Sequence, residues 1–318
     1  MLQYLMALRS IRELGVEKTD RTGTGTIGLF GAINMQFSLQ HWNDEGTVRA
    51  PVVPLLTTKK VNFDAINKEL RWMLDGKTNV RPLQEQGVKI WNEWARENGE
   101  LGPVYGYQWR KWPDTRIIMQ SEWNAHQEKY LSRGYKFVDF VSIDHELTGV
   151  VIHREVDQIA QIEAQLRATP DSRRIILNGW NVAMIEEMAL PPCHTLAQWG
   201  VHIDQETGEQ ILDCKMYQRS GDFFLGVPFN IVQYSLLTHM LAKANGMVAG
   251  TLYHSVGDAH IYSNHTAQVD EQLDRHPSFE PAYLHIEGEY DSVLDIPVSV
   301  ISVSNYDPQP FIPAPVAV

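Results

Sequence analysis

Residues 229–245 form an apolar run with few charges, from Phe229-Asn230-Ile231 through Leu236-Leu237 to Asn245, and Gly246 follows. A helix with apolar side chains around most of its circumference has no face to offer water, so it has to be buried. Glycine just after the last apolar residue is a usual helix stop. The rest of the chain must therefore supply layers that enclose this helix. That requirement fits an α+β fold, with a mixed β-sheet and further helices packed around a long central helix. The length allows it: 318 residues with 43% hydrophobic content can bury a large core.

The remaining segments supply those layers. Residues 3–14, 63–74 and 156–168 have apolar side chains at helical spacing; the second is ended by Gly76 and the third stops before Pro170. A Gly-rich turn, Thr22-Gly23-Thr24-Gly25-Thr26, leads into a strand-like alternation that ends near residue 38. Further strand-like segments lie at 174–179, 194–203, 210–219 and 249–263, then a helix at about 265–274 and two closing strands. Strands and helices do not alternate regularly, which separates this order from a doubly wound sheet. Residues 39–53 are polar and irregular, and 113–155 are aromatic and charged without a clear period. Both read as insertions within one domain spanning 1–318.

Charge and cysteine usage remove several classes. With 27 Lys+Arg against 39 Asp+Glu, the net charge is -12, which argues against a nucleic-acid surface. Any bound phosphate needs a local arginine cluster that works against this field. Two cysteines make no disulfide framework and no zinc motif, in keeping with a reducing, cytoplasmic setting. Met1-Leu2-Gln3-Tyr4 does not begin like a signal peptide, and no apolar run is long enough for a membrane span.

The chemistry gathers in one stretch. Cys193 lies in Leu190-Pro191-Pro192-Cys193-His194. A lone cysteine is most often a small buried hydrophobe. Here two prolines fix the backbone before it and polar residues follow, a setting for a thiolate if a guanidinium is near. Cys214, in an alternating strand, reads as structural. Gln218-Arg219-Ser220-Gly221-Asp222 sets an arginine fork beside a hydroxyl, and both can donate to phosphate oxygens. Arg173-Arg174 after Asp171-Ser172, and Arg21 before the Thr-Gly turn, are further candidates; each alone also fits a solvated face. The Thr-Gly turn is no P-loop, because it lacks the Gly-Lys-Ser/Thr ending.

Asn230 reads in two ways. It fits an N-cap of the apolar helix. Its amide also presents a donor beside an acceptor, matching O4 and N3–H of a uracil-type ring. His260 and Tyr262, two apart in a strand, share a face with Asp258 and His254. That mixture does not resemble a metal-ligand set, so no metal is expected. Glu69 lies on a helix and matters if it faces a cleft, where burial raises its pKa. Trp91 and Trp94 fit either core filling or stacking on a flat ligand.

These residues resemble the thymidylate synthase family. The likeness rests on Asp20-Arg21-Thr22-Gly23-Thr24-Gly25-Thr26, Pro54 to Lys60, Ile90-Trp91-Asn92-Glu93-Trp94-Ala95, Gly102-Pro103-Val104-Tyr105-Gly106, Asp171 to Ile175, the stretch from Cys193 to His265, and Ala314 to Val318. It runs from end to end apart from the two insertion-like stretches. The resemblance implies a homodimer packed through its sheets, with dUMP and 5,10-methylenetetrahydrofolate as substrates and dTMP and dihydrofolate as products. Cys193 would add to C6 of the uracil ring. The resulting C5 enolate would attack the folate-borne methylene, and the folate hydride would then reduce the exocyclic carbon.

By position, Arg21, Arg219 and Ser220 would hold the phosphate, joined by Arg173 and Arg174 from the partner subunit. Gln218 and Asn230 would serve the pyrimidine, and His260 and Tyr262 the ribose 3′-hydroxyl. Glu69 would organise water and protons near O4, with Tyr105 and His194 at the C5 proton and the water network. Asp222, Ile90, Trp91, Trp94, Leu225, Phe229 and the terminus at Val318 would contact folate, and Lys59 its polyglutamate tail. Departures from the family pattern are Gly200 in place of a bulky residue, Lys68 before Glu69, and Arg71 in place of an apolar residue. They keep in view a dUMP 5-hydroxymethylase, in which water captures the methylene intermediate. A non-catalytic nucleotide- or RNA-binding relative is a further alternative, against which stands the full set of catalytic residue types.

Overall fold

Burial decides which periodic segments become layers. The computed structural model describes residues 1–20, 22–43, 45–46, 49–142 and 148–317. The chain begins with α1 (Leu2–Leu14), β1 (Val16–Lys18), β2 (Thr26–Ser38), β3 (Gln40–Trp42) and β4 (Arg49–Val53). It continues through α2 (Phe63–Leu74), α3 (Arg81–Glu85), α4 (Tyr105–Arg110), β5 (Trp112–Met119), α5 (Gln120–Leu131), β6 (Lys136–Ser142) and β7 (Thr148–Val156). Then come α6 (Gln158–Ala168), β8 (Ile176–Asn178), β9 (His194–Ile203), β10 (Gln210–Asp222), α7 (Gly226–Ala244), β11 (Val248–Tyr262), α8 (Thr266–Asp274), β12 (Ala282–Ile286) and β13 (Ile301–Ser304).

The main sheet has the order β1-β2-β11-β10-β9-β8. Its centre, β10 beside β11, is parallel, and its other pairs are antiparallel. Along β10 the alternation is plain: Leu212, Cys214, Met216 and Gln218 are buried, while Lys215 and Tyr217 face out. Register then places the chemistry. Gln218 lies across from His194 on β9, and Asp222 across from His260 on β11.

Helix α7 packs on β10 and β11 and is buried along most of its length. Its start has a local cause. Asp222 Oδ1 accepts the N–H groups of Phe224 and Leu225, at 2.9 and 3.1 Å, just before the first turn. Pro228 sits in that first turn, where a missing N–H costs nothing. Helix α2 starts on Asn62, whose side chain accepts from the Ala65 N–H, and α6 starts on Asp157 in the same way. Tyr4, Leu8 and Ile11 of α1 and Ile66, Leu70 and Met73 of α2 join the core around α7. Each such side chain contributes roughly 1.5–3 kcal/mol on burial.

The two insertion-like stretches are more regular than their sequence suggests. Within 39–53, β3 and β4 form part of a second sheet of order β13-β12-β4-β3. Residues 113–155 carry a three-stranded antiparallel sheet, β5-β7-β6, with α5 against it. Trp123, Tyr130, Tyr135, Val150 and Ile152 make a small core there, separate from the main one. The period was hidden because β6 is exposed along nearly its whole length and β5 over its middle, so neither shows alternation. Polar pairing supports the unit. Burial alone would raise the Asp114 carboxyl, but hydrogen bonds from Arg116, Tyr135 and Arg154 hold it down at about 2.

Separate cores predict separate opening. Ile152→Ala should remove roughly 2–5 kcal/mol from the small core. Amide hydrogen exchange should quicken in β5, β6 and β7 while β9, β10 and β11 keep their protection. Equal loss of protection in both regions would show that the two cores unfold as one.

Candidate active site

The backbone on both sides of the Cys193 side chain is tied down. Its N–H donates to the Tyr105 hydroxyl at 2.7 Å, and its carbonyl accepts from the Arg219 N–H at 2.8 Å. The Arg219 side chain turns back on the same loop: Nε donates to the Pro192 carbonyl at 2.8 Å and Nη2 to the Pro191 carbonyl at 2.9 Å. Its guanidinium lies 5.3 Å from the Trp180 ring centre. Burial pushes the Cys193 thiol up, and Arg219 draws it back down. Cys214 has no such partner cation among the described residues; fully buried, it is pushed up to about 12.

His194 begins β9 beneath this loop. Its ring stacks on Tyr105 with centroids 4.0 Å apart, and its Nδ1 lies 2.8 Å from the Tyr234 hydroxyl. Burial, with a smaller contribution from His254, holds it at about 3, so the imidazole is neutral. Burial also raises Tyr105 well above its ordinary value. Glu69 on α2 is buried as well, and this pushes its carboxyl up to about 7 against two opposing hydrogen bonds. One comes from Trp91 Nε1 at 2.7 Å and the other from Gln233 Nε2 at 3.1 Å. A carboxyl balanced near neutrality in a closed setting can both hold and release a proton.

Gln218 links the sheet to α7. Its Nε2 donates to Asn230 Oδ1 at 2.9 Å and to the Ser220 carbonyl at 3.0 Å. Because α7 starts at Gly226, Asn230 lies inside the helix and is not its N-cap; that position is Leu225, whose N–H donates to Asp222. His260 Nδ1 is 3.2 Å from Asp258 Oδ1, and Lys18 reaches the other oxygen of Asp258 at 3.1 Å. Tyr262 packs edge-on against His260 with centroids 5.1 Å apart. In the Thr-Gly turn, Asp20 accepts from Thr22 and from the Gly25 N–H, with Gly23 and Gly25 at φ 75 and 79. Glycine is there because those angles exclude most side chains.

Ile90, Trp94, Leu225 and Phe229 are half-buried and pack on the main core. Trp91 is buried and meets the rings of Trp72, Trp94 and Tyr105. The tail returns to the same side, where His265 Nε2 lies 2.7 Å from the Pro315 carbonyl and 4.0 Å separate His265 Nδ1 from Asp222 Oδ1. Ser220 is half-buried, whereas Arg173 and Arg174 are exposed and away from this cluster's hydrogen bonds. Arg21 and Val318 lie outside the described residues.

With this geometry in place, the comparison with known families is specific. The family described as thymidylate synthase matches residues 2–318. The chain belongs to the thymidylate synthase family. It is thus a one-carbon transferase of the group that methylates or hydroxymethylates dUMP, and methylenetetrahydrofolate is the family's co-substrate.

Several expectations change on the structure. Lys59, expected at the polyglutamate tail of folate, is buried. Its ammonium is buried over the Phe224 ring, 3.4 Å from the centre, and donates to the Phe224 carbonyl. Burial lowers it to about 7, opposed by Asp222. The three departures from the family pattern each have a local setting that the sequence did not show. Gly200 is exposed on the outer face of β9, where an added Cβ would meet nothing within 4 Å. Lys68 pairs with Asp64, and Arg71 with Asp75 and the carbonyls of Val293 and Leu294.

Sequence reasoning missed Gln233, Tyr234 and Trp180. The first two had a signal: they follow Asn230 by three and four residues, so one helical face carries all three. Trp180 had none, since only the fold brings it to Arg219. Among the described residues no His, Cys, Asp and Glu group is arranged to hold a metal, and no helix is long and apolar enough to cross a membrane.

Glu69 gives a pH test of this site. Its carboxyl is raised from 4.5 to about 7. The stability this contributes is full below the unfolded value and is lost as pH rises through the folded one. Relative to Glu69→Gln, the parent protein should therefore lose roughly 3 kcal/mol between pH 4.5 and 8. Denaturant melts of both proteins across that range measure the difference; a parent protein that keeps its stability relative to Glu69→Gln as pH rises would refute the assignment.

Proposed function

We propose that this protein converts dUMP to dTMP by reductive methylation. One observation supports this reading above the others: nucleophile, cation and amide hang from adjacent residues of one strand. Arg219 is bonded through its backbone to Cys193, and its neighbour Gln218 is bonded to Asn230. A thiolate at Cys193 forms the Sγ–C6 bond, and the C5–C6 π pair moves onto C5 and O4. Asn230 meets the pyrimidine edge. Glu69, held by Trp91 and Gln233, handles the proton at O4 through ordered water. Tyr105 and neutral His194 sit beside the thiol, where they serve the C5 proton and the water network. Arg219, Ser220 and Arg21 take the phosphate, and His260 and Tyr262 take the ribose hydroxyl.

Methylenetetrahydrofolate supplies the one-carbon unit and the hydride. Trp91, Trp94, Ile90, Leu225 and Phe229 offer the apolar surface that a pterin needs, with Asp222 beside it. Capture by hydride is favoured over capture by water because Lys68 and Arg71 are tied to Asp64 and Asp75, and Gly200 lies on the outer face of β9. A homodimer through the main sheet accounts for its outer face, where Ile176, Leu196, Tyr217 and Tyr253 are exposed. In that assembly Arg173 and Arg174 reach the partner's phosphate site.

Three measurements test the proposal. Cys193→Ser should lower turnover by several orders of magnitude while dUMP still binds. Cys214→Ser should keep turnover and lose about 1–3 kcal/mol of stability; the opposite pattern refutes the assignment. Inactive Cys193→Ser and inactive Arg174→Ala chains, mixed under conditions of proven subunit exchange, should regain part of the activity. No recovery would mean that the arginine is not shared. Mass spectrometry of the product should show dTMP, with dihydrofolate released. Finding 5-hydroxymethyl-dUMP with tetrahydrofolate instead would replace methylation by hydroxymethylation.

A further inference from the structure

His254 is a fully buried histidine that the proposed chemistry does not use. Its Nε2 lies 2.9 Å from Gln218 Oε1. The other end of the Gln218 amide is fixed by a backbone group: Nε2 donates to the Ser220 carbonyl at 3.0 Å, so it must be the NH2 end. Gln218 Oε1 can therefore only accept, and His254 Nε2 must carry the proton. His254 Nδ1 is buried with no partner among the described residues, which suits a lone pair and disfavours a second N–H. Burial, with a smaller contribution from Lys215, holds the ring at about 3, so this neutral tautomer persists.

The polarity continues one step further. Gln218 Nε2 donates to Asn230 Oδ1 at 2.9 Å. Asn230 Oδ1 is thereby marked as the acceptor end, and its NH2 is left to donate elsewhere. We infer that His254 is a positioning residue for base selection, which through Gln218 fixes which end of the Asn230 amide meets which atom of the pyrimidine. The inference rests on the reading of Asn230 as the pyrimidine contact. A uracil edge offers an acceptor at O4 and a donor at N3–H, and the fixed amide matches it. A cytosine edge offers the reverse. To meet it, Asn230 would have to rotate, placing its NH2 against the NH2 of Gln218. Gln218 cannot rotate in turn, because its oxygen would face the Ser220 carbonyl and its NH2 the His254 N–H. Discrimination against the aminopyrimidine is thus set two side chains away from the base.

The test compares dUMP with dCMP in full-length variants. His254→Phe fills the space without an N–H, and His254→Gln keeps an N–H at similar reach. Both kcat/KM and nucleotide affinity without folate are measured, the affinity serving where dCMP turnover is too slow. In His254→Phe the preference for dUMP over dCMP should fall by roughly five- to a hundred-fold, the range for a mismatched buried polar pair. His254→Gln should recover most of it. Equal weakening of both nucleotides in His254→Phe, or no recovery in His254→Gln, would overturn the inference. If His254→Phe does not fold, His254→Met, which also cannot donate, takes its place with the same outcomes. Asn230→Asp, run in parallel, separates the two readings. If it leaves the preference unchanged, the reading of Asn230 fails; if it shifts the preference and His254→Phe does not, only the role of His254 fails.

Discussion

The antiparallel pairing of β9 with β10 is the constraint on which the site depends. Cys193 precedes β9 and has no secondary structure of its own to fix it. The Arg219 N–H on its carbonyl extends the ladder by one more bond, and the Arg219 side chain then holds the two prolines behind it. A slip of one residue would turn Gln218 outward and Arg219 inward, since neighbours on a strand face opposite ways. The buried run of Leu212, Cys214 and Met216 against α7 opposes that slip. The register that packs the core is thus also the register that aims the chemistry.

Much of this was legible in the chain and some was not. The long apolar helix, the strand alternation at 210–219 and the ends of α2 at Asn62 and Gly76 have local causes, and local causes are written in sequence. The motif around Cys193 was legible for the same reason. The small sheet within 113–155 was not, because an edge strand wet on both faces has no alternation to read. The burial of Lys59 was not legible either, because only the fold brings the Phe224 ring and carbonyl to it. Asn230 reads as a cap because four residues of helix precede it that contain glycine and proline, which look like a loop.

Electrostatics in the site follow one rule: burial keeps its groups neutral. Glu69 is raised, His194 and His254 are lowered, and Tyr105 is raised, each with burial as the first cause. The guanidinium of Arg219 is the contrast, and it sits where a thiol needs a cation. In a protein with a net charge of -12, this places one cation beside the thiol. Neutral neighbours also hold fixed dipoles without the cost of burying charge, which suits a site that must meet charge as it develops.

Helix α7 carries Asn230, Gln233 and Tyr234 on one face, and these touch Gln218, Glu69 and His194 respectively. Three separate tasks therefore ride on one rigid rod. A substitution that tilts or slides the rod disturbs amide, carboxyl and imidazole in the same direction at once, while their spacing to each other stays the same. Faults of this kind are correlated, so two such substitutions do not add as independent losses would. The arrangement exchanges tolerance of drift for a single alignment that, once set by the core, sets all three.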